Sequence, residues 1–518
     1  MSLLKSTAVV GAMTTLSRIL GLLRDMVIAR YFGAGAGTDA FFIAFKIPNF
    51  MRRLFAEGAF SQAFVPVLSE YKTQREHAEV RRLSQEVAGT LGAVLFLLTL
   101  VGLLAAPVLV AIFAPGFLDE PERFDLTAQM LRITFPYLLF ISLTALAGGI
   151  LNSYGRFAVP AFTPVFLNIV LIGAAIWVAP HFAQPVIALA WGVFVAGAVQ
   201  LAFQLPFVWR LGLLGWPRWG WANDGVRRIG KLMLPAIFGS SVAQINLLLD
   251  TLIASFLVTG SVSWLYYSDR LVEFPLGVFG IALATVILPS LSQKHASASH
   301  EEFSRMLDWA LRWVVTLGAP ATIGLFVLAG PLLVTLFHYG EFDNTDIDMA
   351  RLSLMAYSLG LLGFIGVKVL APGYYARQDT KTPVRIGIIA MLTNMVFNVM
   401  FVVPMVWLDI PGPHSGLALA TSISAFLNAG LLFRGLRRDG VLQSHPGWGL
   451  LLLRVTAACA TMTAVLYWGA GPLDAWLGWG TWERVTQLVL WVTAGSVCYF
   501  AVLLVLGVRL RELLVSHK

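Results

Sequence analysis

Charged side chains recur within two apolar segments near the start of the chain, and the chemistry that they suggest is anion binding. They include Arg18, Arg24, Asp25, Asp39, Lys46, Arg52, Arg53 and Glu57. A charge in hydrocarbon costs roughly 2.5–3.5 kcal/mol on insertion scales, so such residues normally face a helix bundle or water. Because bases outnumber acids in this set, we expect the cavity that they line to attract an anion.

A similar arrangement appears in two later apolar segments of the chain. These segments carry Asp269, Arg270, Glu273 and Lys368. The planar guanidinium group of arginine binds two phosphate oxygens at once, which makes arginine well suited to a pyrophosphate. We therefore expect Arg24, Arg52 and Arg270 to clamp a pyrophosphate.

An alternative is that these charges are ion pairs that hold helices together. Arg53 and Glu57 are four residues apart and can pair on one helix, and Asp25 and Asp269 are open to the same interpretation. Unpaired buried cations are costly, so the excess of bases favours a bound anion or water for the set as a whole.

A second polar group is not basic. Asp250 lies in one apolar segment, Asn394 and Asn398 lie four apart on one face of another, and Thr421 belongs to a third. One carboxylate with amide and hydroxyl oxygens suits a hard cation such as Na⁺. Hydrogen bonding between membrane helices is the alternative for these residues.

Composition places the chain among membrane proteins. The 518 residues are 58% hydrophobic and 12% charged, whereas soluble domains contain about 25% charged residues. The net charge of +8 is explained by basic cytoplasmic loops, so no nucleic acid is expected as a partner. Nucleotide-binding loops, zinc-spaced ligands and nucleophile motifs are absent from the sequence, so ATP-driven transport by this chain alone is not expected. The eight histidines show no spacing that suggests a catalytic set, so we expect a transporter and not an enzyme.

Fourteen transmembrane helices are predicted from hydropathy, each able to cross a core of roughly 30 Å. They cover residues 10–33, 39–65, 86–113, 128–152, 160–179, 185–209, 228–257, 264–291, 308–337, 349–375, 384–407, 415–435, 447–469 and 485–508. Alternate loops are basic, and the others are nearly free of Lys and Arg and often acidic. The positive-inside rule then places both termini in the cytoplasm.

An internal repeat divides these helices into two six-helix lobes. Val65-Pro66 recurs as Leu288-Pro289, and Pro160 recurs as Pro383, both at an offset of 223 residues. Two parallel repeats of this kind place substrate between the halves, near the membrane midplane. We therefore predict an all-α integral membrane fold with a central cationic cavity. The predicted domains are an N-lobe at 1–220, a C-lobe at 221–440, and two extra helices at 441–518.

Several long motifs resemble a known family. These are Ser17-Arg18-Ile-Leu-Gly21-Leu-Leu-Arg24-Asp25, Thr38-Asp39-Ala-Phe-Phe, Ala44-Phe-Lys46-Ile-Pro48-Asn49, Arg52-Arg53-Leu-Phe-Ala-Glu57-Gly58, Asp269-Arg270-Leu-Val-Glu273-Phe-Pro275 and Lys368-Val-Leu-Ala-Pro372-Gly373. Along its whole length the chain resembles the lipid II flippases of bacterial peptidoglycan synthesis, the MurJ (MviN) family of the MOP exporter superfamily.

The resemblance implies transport of undecaprenyl-pyrophosphate disaccharide-pentapeptide from the inner to the outer leaflet of the cytoplasmic membrane by alternating access. It also ties Arg18, Arg24, Asp39, Arg52 and Arg270 to transport, and it implies that the last two helices form a groove for the lipid tail. Coupling to Na⁺ or to the membrane potential is associated with the family, without any other cofactor.

Two alternatives belong to the same superfamily: an exporter of another polyprenyl-pyrophosphate-linked glycan, and a drug or cation antiporter. The antiporter predicts an acidic cavity, so the arginines count against it. The expected partners are lipid II, the membrane, and proteins of cell-wall synthesis or the divisome, with the chain working as a monomer.

Overall fold

The computed structural model describes residues 3–54, 60–281, 283, 287–288, 290–293, 299–443 and 445–508. All regular elements among these residues are helices. The chain divides into two compact units, Met1–Ser263 and Trp264–Lys518. The predicted all-α fold is confirmed, whereas the six-helix lobes, which describe a sequence repeat, stay a prediction.

The first unit contains eleven complete helices within the described residues and the start of a twelfth. They are α1 (Leu3–Phe32), α2 (Ala36–Arg52), α3 (Ser61–Gln74), α4 (His77–Leu104), α5 (Ala106–Phe113), α6 (Pro121–Thr134), α7 (Tyr137–Ser153), α8 (Ala158–Phe162), α9 (Pro164–Gly173), α10 (Ile187–Arg210), α11 (Asp224–Ala254) and α12 (Ser261–Pro275). A 3₁₀ segment at Pro115–Asp119 precedes α6, and a π-helical turn at Ala174–Val178 extends α9.

The second unit begins within α12, at Trp264, and its described part contains nine further helices. A π-helical segment, Leu276–Ile281, follows α12 directly after Pro275. The helices are α13 (His300–Val327), α14 (Ala329–Phe337), α15 (Asn344–Leu359), α16 (Leu361–Tyr375), α17 (Lys381–Trp407), α18 (His414–Arg438), α19 (Trp448–Ala470), α20 (Leu473–Gly478) and α21 (Thr481–Val505).

Ten helical stretches of the described chain are long and apolar enough to cross a membrane. They correspond to ten of the fourteen predicted spans. The other four predicted spans are the first, second, seventh and eighth, which contain α1, α2, α11 and α12. These helices carry most of the charged residues discussed above, and α2 and α12 are 17 and 15 residues long in the described part of the chain. The count of fourteen therefore stays a prediction.

An apolar core in the first unit joins α3, α4, α7 and the start of α11. Phe64, Leu83 and Leu151 are fully buried in this core, and Phe60 stacks on Phe64 with ring centroids 5.0 Å apart. Side chains four residues apart lie on the same face of a helix, so Phe60 and Phe64 reach the core together.

The last two long helices, α19 and α21, pack against each other and against α13 within the second unit. The buried hydroxyl of Tyr499 donates a 2.8 Å hydrogen bond to the backbone carbonyl of Thr316. At the start of α19, the Trp448 indole donates to Asp308 Oδ1 at 2.6 Å. Both contacts attach the predicted extra helices to α13. Their role as a lipid-tail groove stays a prediction.

Candidate functional site

Arg24 forms a buried ion pair with its neighbour Asp25 in α1. Its Nε and Nη2 atoms donate to Asp25 Oδ1 at 3.0 and 2.7 Å, and its Nη1 atom donates to Asn168 Oδ1 at 3.1 Å. Asn168 in α9 also donates to the backbone carbonyl of Ser17. The charge of Arg24 is thus compensated locally, and the pair ties α1 to α9.

Asp39 is fully buried in the first turn of α2 and accepts four hydrogen bonds. The donors are the backbone N–H groups of Gly260 and Ser263 at 2.7 and 2.8 Å, the Ser263 hydroxyl at 2.5 Å, and Arg123 Nη2 at 2.5 Å. Ser263 lies in the first turn of α12, whose free N–H groups carry partial positive charge. The carboxylate therefore holds the N-terminal end of the helix that later carries Arg270.

Arg123 is the partner of Asp39 that the sequence interpretation missed. Its side chain is 3% exposed, its guanidinium lies 3.8 Å from the centre of the Phe117 ring, and Nη1 donates to Glu120 at 3.2 Å. The sequence feature that could have identified Arg123 is an arginine among several acids in a segment predicted to be a loop. This loop was interpreted as acidic, and Arg123 was left out of the candidate set.

Basic residues along the rest of α2 make contacts nearer its C-terminal end. Lys46 Nζ donates to the hydroxyl of Thr251 in α11, and Arg52 Nε donates to Asn49 Oδ1 at 2.8 Å. Arg52 and Arg53 are both half-buried. The predicted partner of Arg53 is Glu57, which lies outside the described residues, so that ion pair stays a prediction.

In the second unit, Arg270 and Glu273 form an ion pair with a 2.7 Å separation, and their side chains are 34% and 43% exposed. The Arg270 guanidinium also lies 5.6 Å from the centre of the Tyr266 ring. Asp269, the preceding residue, is half-buried. The Arg270 side chain is therefore more accessible than that of Arg24, which is 4% exposed.

Lys368 lies on α16 and is exposed. A Cβ atom added to Gly280, in the π-helical segment after α12, would lie 3.8 Å from Lys368 Cγ. The second unit thus brings this lysine alongside the continuation of the helix that carries Arg270. In the first unit, Arg18 is half-buried on α1.

The proposed cation ligands fall in both units. In the second unit, Asn394 and Asn398 are fully buried on α17, and the Thr421 hydroxyl on α18 lies 3.5 Å from Asn394 Oδ1. The predicted grouping of Asn394 with Thr421 is therefore present. Asp250 is half-buried on α11 of the first unit. The arrangement of α17 and α18 equally fits hydrogen bonding between helices.

Comparison with known proteins places this chain in a family. The family model described as "Lipid II flippase MurJ" matches residues 28–480. A protein of Vibrio cholerae named "Probable lipid II flippase MurJ" is 52% identical over 518 residues, which cover 99% of this chain and 97% of that protein.

Solved structures agree with the sequence comparison. A structure described as "Lipid II flippase MurJ, inward closed conformation" matches with a TM-score of 0.79 and 26% identity over 96% of this chain and 99% of that one. A MATE family multidrug transporter of the MOP superfamily matches with a TM-score of 0.64 at 15% identity over 84% of this chain and 98% of that one, which shows a shared fold alone. The chain is a member of the lipid II flippase MurJ family.

Proposed function

We propose that this chain flips lipid II from the inner to the outer leaflet of the cytoplasmic membrane. The observation that carries the proposal is the 52% identity to a probable lipid II flippase across nearly the whole length of both proteins. All helices that bear the charged residues lie within this match. The chain is a multi-pass membrane transporter and not an enzyme.

Charged residues in α1, α2, α12 and α16 suit a substrate that carries a pyrophosphate. We propose that the more accessible cations contact it, because a guanidinium or ammonium group must reach the phosphate oxygens to bind them. These are Arg18, Arg52, Arg53, Arg270 and Lys368, with Glu57 and Glu273 as counter-charges.

The buried residues have a different role in this proposal. Two enclosed ion pairs position helices of the first unit. The pair of Arg24 and Asp25 holds α1, and the pair of Asp39 and Arg123 holds α2 and the start of α12. A buried ion pair contributes little net stability, but removal of one partner leaves an uncompensated charge. Substitution in these pairs should therefore act on transport through the positions of the helices.

We further propose that the transfer occurs by alternating access. Both termini are proposed to be cytoplasmic, because the basic loops lie on the same side of the membrane as the termini. Na⁺ coupling through Asp250, Asn394, Asn398 and Thr421 is proposed from the oxygen donors alone. Cell-wall synthesis proteins are the proposed partners of a chain that works as a monomer.

A drug or cation antiporter is not favoured. The likeness to the MATE transporter rests on 15% identity and concerns the fold. A site for a cationic drug requires an excess of acids, whereas the charged helices of this chain carry an excess of bases.

A leaflet-accessibility assay for lipid II tests the proposed function. Depletion of the chain should leave lipid II in the inner leaflet, and re-expression should restore its exposure outside. Arg270→Ala should fail to restore it. Arg305→Ala is the matched control, because Arg305 is 52% exposed and pairs along its own helix with Glu301. Undiminished exposure of lipid II after depletion would contradict the proposal.

A further inference from the structure

A groove with a volume of about 760 Å³ lies in the first unit between α4, α7, α10 and the segment that follows α10. Its walls are apolar side chains and the small residues of α4, including Gly92, Leu143, Leu146 and Leu205. Cavities that bind small molecules have volumes of roughly 300–1,000 Å³. None of the charged residues described above lines it.

One wall of this groove is a segment without regular secondary structure, residues 213–220, that is hydrogen-bonded to α4. Arg218 N donates to the Gln85 carbonyl at 3.1 Å, and Gly220 N donates to Thr90 Oγ1 at 2.9 Å. A Cβ atom on Gly89 would lie 2.2 Å from the Arg218 carbonyl oxygen, so the segment approaches α4 as closely as glycine permits. Specific hydrogen bonds and close packing therefore fix this wall of the groove.

The groove is about one leaflet long. Its lining on α4 runs from Ser84 to Phe96, which is about 18 Å at 1.5 Å per residue. Half of a hydrocarbon core of roughly 30 Å is about 15 Å. Phe96 is 55% exposed at one end, and Trp216 is 87% exposed at the other, so the groove is open to the surrounding membrane.

The end of the groove near Trp216 has the features of a membrane surface. Trp209, Trp216 and Trp219 are all exposed, and tryptophan is enriched at the boundary between hydrocarbon and headgroups. Two exposed arginines directly follow lining residues in the chain: Arg210 follows Trp209, and Arg218 follows Pro217. A nearby carboxylate, Glu86, is bonded to Arg82 and Asn223. The charge at this end is therefore positive.

We propose that this groove binds one acyl chain of an anionic phospholipid, with the lipid phosphate beside Arg210 and Arg218. The apolar walls accept the chain, the one-leaflet length matches a fatty acid, and the arginines complement the phosphate. The site is separate from the charged helices assigned to transport.

Photolabelling of the full chain in lipid nanodiscs tests this proposal. The probe is phosphatidylglycerol with a diazirine midway along one acyl chain, and labelled peptides are mapped by mass spectrometry. We expect labels on α4, α7 and α10 around Leu143 and Leu205. Gly92→Leu should reduce these labels at least fivefold, because Gly92 lines the groove and a Cβ on it would lie in van der Waals contact with Leu143 Cδ2, at 3.9 Å.

Gly430→Leu is the matched control, since Gly430 is a helical glycine with open space around it in the second unit. It should leave the labels unchanged. If Gly92→Leu fails to fold, Leu143→Trp fills the groove from α7 and should give the same loss. The double variant Arg210→Gln, Arg218→Gln should reduce labelling by the phosphatidylglycerol probe to the level that a phosphatidylethanolamine probe gives with the native chain.

Three results would overturn the proposal. The first is equal labelling of the native chain by the phosphatidylethanolamine probe. The second is labelling that survives a folded Gly92→Leu or Leu143→Trp variant. The third is displacement of the label by a polyprenyl phosphate, which would assign the groove to the substrate tail. Each of these results is independent of the lipid II accessibility assay.

Discussion

Asp39 and Arg123 form a buried ion pair, with Oδ2 and Nη2 2.5 Å apart, although 84 residues separate them in the chain. The side chains are 0% and 3% exposed. The same carboxylate binds the backbone of Gly260 and Ser263. One acid therefore links α2, α6 and the N-terminal end of α12, which places Asp39 among the residues that position helices.

This relationship predicts strong coupling between the two residues. Asp39→Ala leaves a buried guanidinium without its carboxylate, and Arg123→Ala leaves the carboxylate without its cation. Each single change should destabilise the chain by about 3–5 kcal/mol, because an unpaired buried charge is costly. The double variant should cost less than the sum of the two. Equilibrium unfolding in mixed detergent and SDS measures this double-mutant cycle.

The matched control is the Glu70–Arg228 pair in the same unit. Its atoms are 2.7 Å apart, but the side chains are 37% and 54% exposed. Exposed pairs typically contribute about 0–1 kcal/mol, so Glu70→Ala and Arg228→Ala should each have little effect. Additive effects of Asp39→Ala and Arg123→Ala would show that the buried pair is not coupled.

Arg24 and Arg270 should respond differently to replacement by alanine. Arg24→Ala removes the buried cation that pairs with Asp25, so we expect loss of both transport and about 3–5 kcal/mol of stability. Arg270→Ala removes a half-exposed cation, so transport should fall while stability changes by less than about 1 kcal/mol. Lipid II accessibility and unfolding are measured on the same samples.

Arg270→Lys refines this comparison, because lysine keeps the charge and lacks the planar fork. It should restore transport in part. Equal losses of stability in Arg24→Ala and Arg270→Ala would contradict the division into positioning and contact residues.

Gly89→Ala should destabilise the first unit by roughly 1–3 kcal/mol, the usual cost of an overpacked site. The added methyl group would meet the backbone of Arg218 and displace the segment 213–220 from α4. Gly387→Ala is the control, because no atom lies within 4 Å of its added Cβ and alanine favours helix. Thermal unfolding followed by tryptophan fluorescence distinguishes the two. A native melting temperature for Gly89→Ala would contradict the tight approach.

Asp379 predicts a pH-dependent contribution to stability in the loop before α17. Hydrogen bonds from the side chain and backbone of Thr382 hold the pKa of Asp379 below its ordinary value of 3.8. A depressed pKa in the folded state stabilises the fold above the unfolded value. The contribution is lost as the pH falls below 3.8 through the folded pKa.

Asp379→Ala should therefore lower stability at pH 7 by about 0.5–2 kcal/mol, as for loss of a helix cap. The difference from the native chain should shrink as the pH falls below 3.8. Asp379→Asn keeps an oxygen acceptor without a titrating group, so its stability should lie near that of the native chain at pH 7. Melting temperatures between pH 7 and pH 3 measure both effects. A constant difference for Asp379→Ala would rule out the titration.

Hydropathy predicted the helices because a long apolar run is a local property of the chain. The run that became α21 is an example, since its length and composition alone indicate a membrane span. Prediction was weaker at helix breaks. The predicted span 349–375 is two helices that meet at Gly360, because packing decides where a long helix is interrupted. The same limit applies to Asn168, because nothing in its apolar segment indicates Arg24 as its partner.

The sequence by itself determined that this is an all-α membrane transporter with cations in its helices, and its motifs indicated the family. Only the tertiary structure decided which charges are enclosed and which are accessible. Arg24 and Arg270 are the same residue type in similar apolar segments, yet Arg24 is 4% exposed and Arg270 is 34% exposed. Burial and ion pairing depend on side chains that approach from distant parts of the chain, as Asn168 and Arg123 do, and no local pattern specifies those contacts.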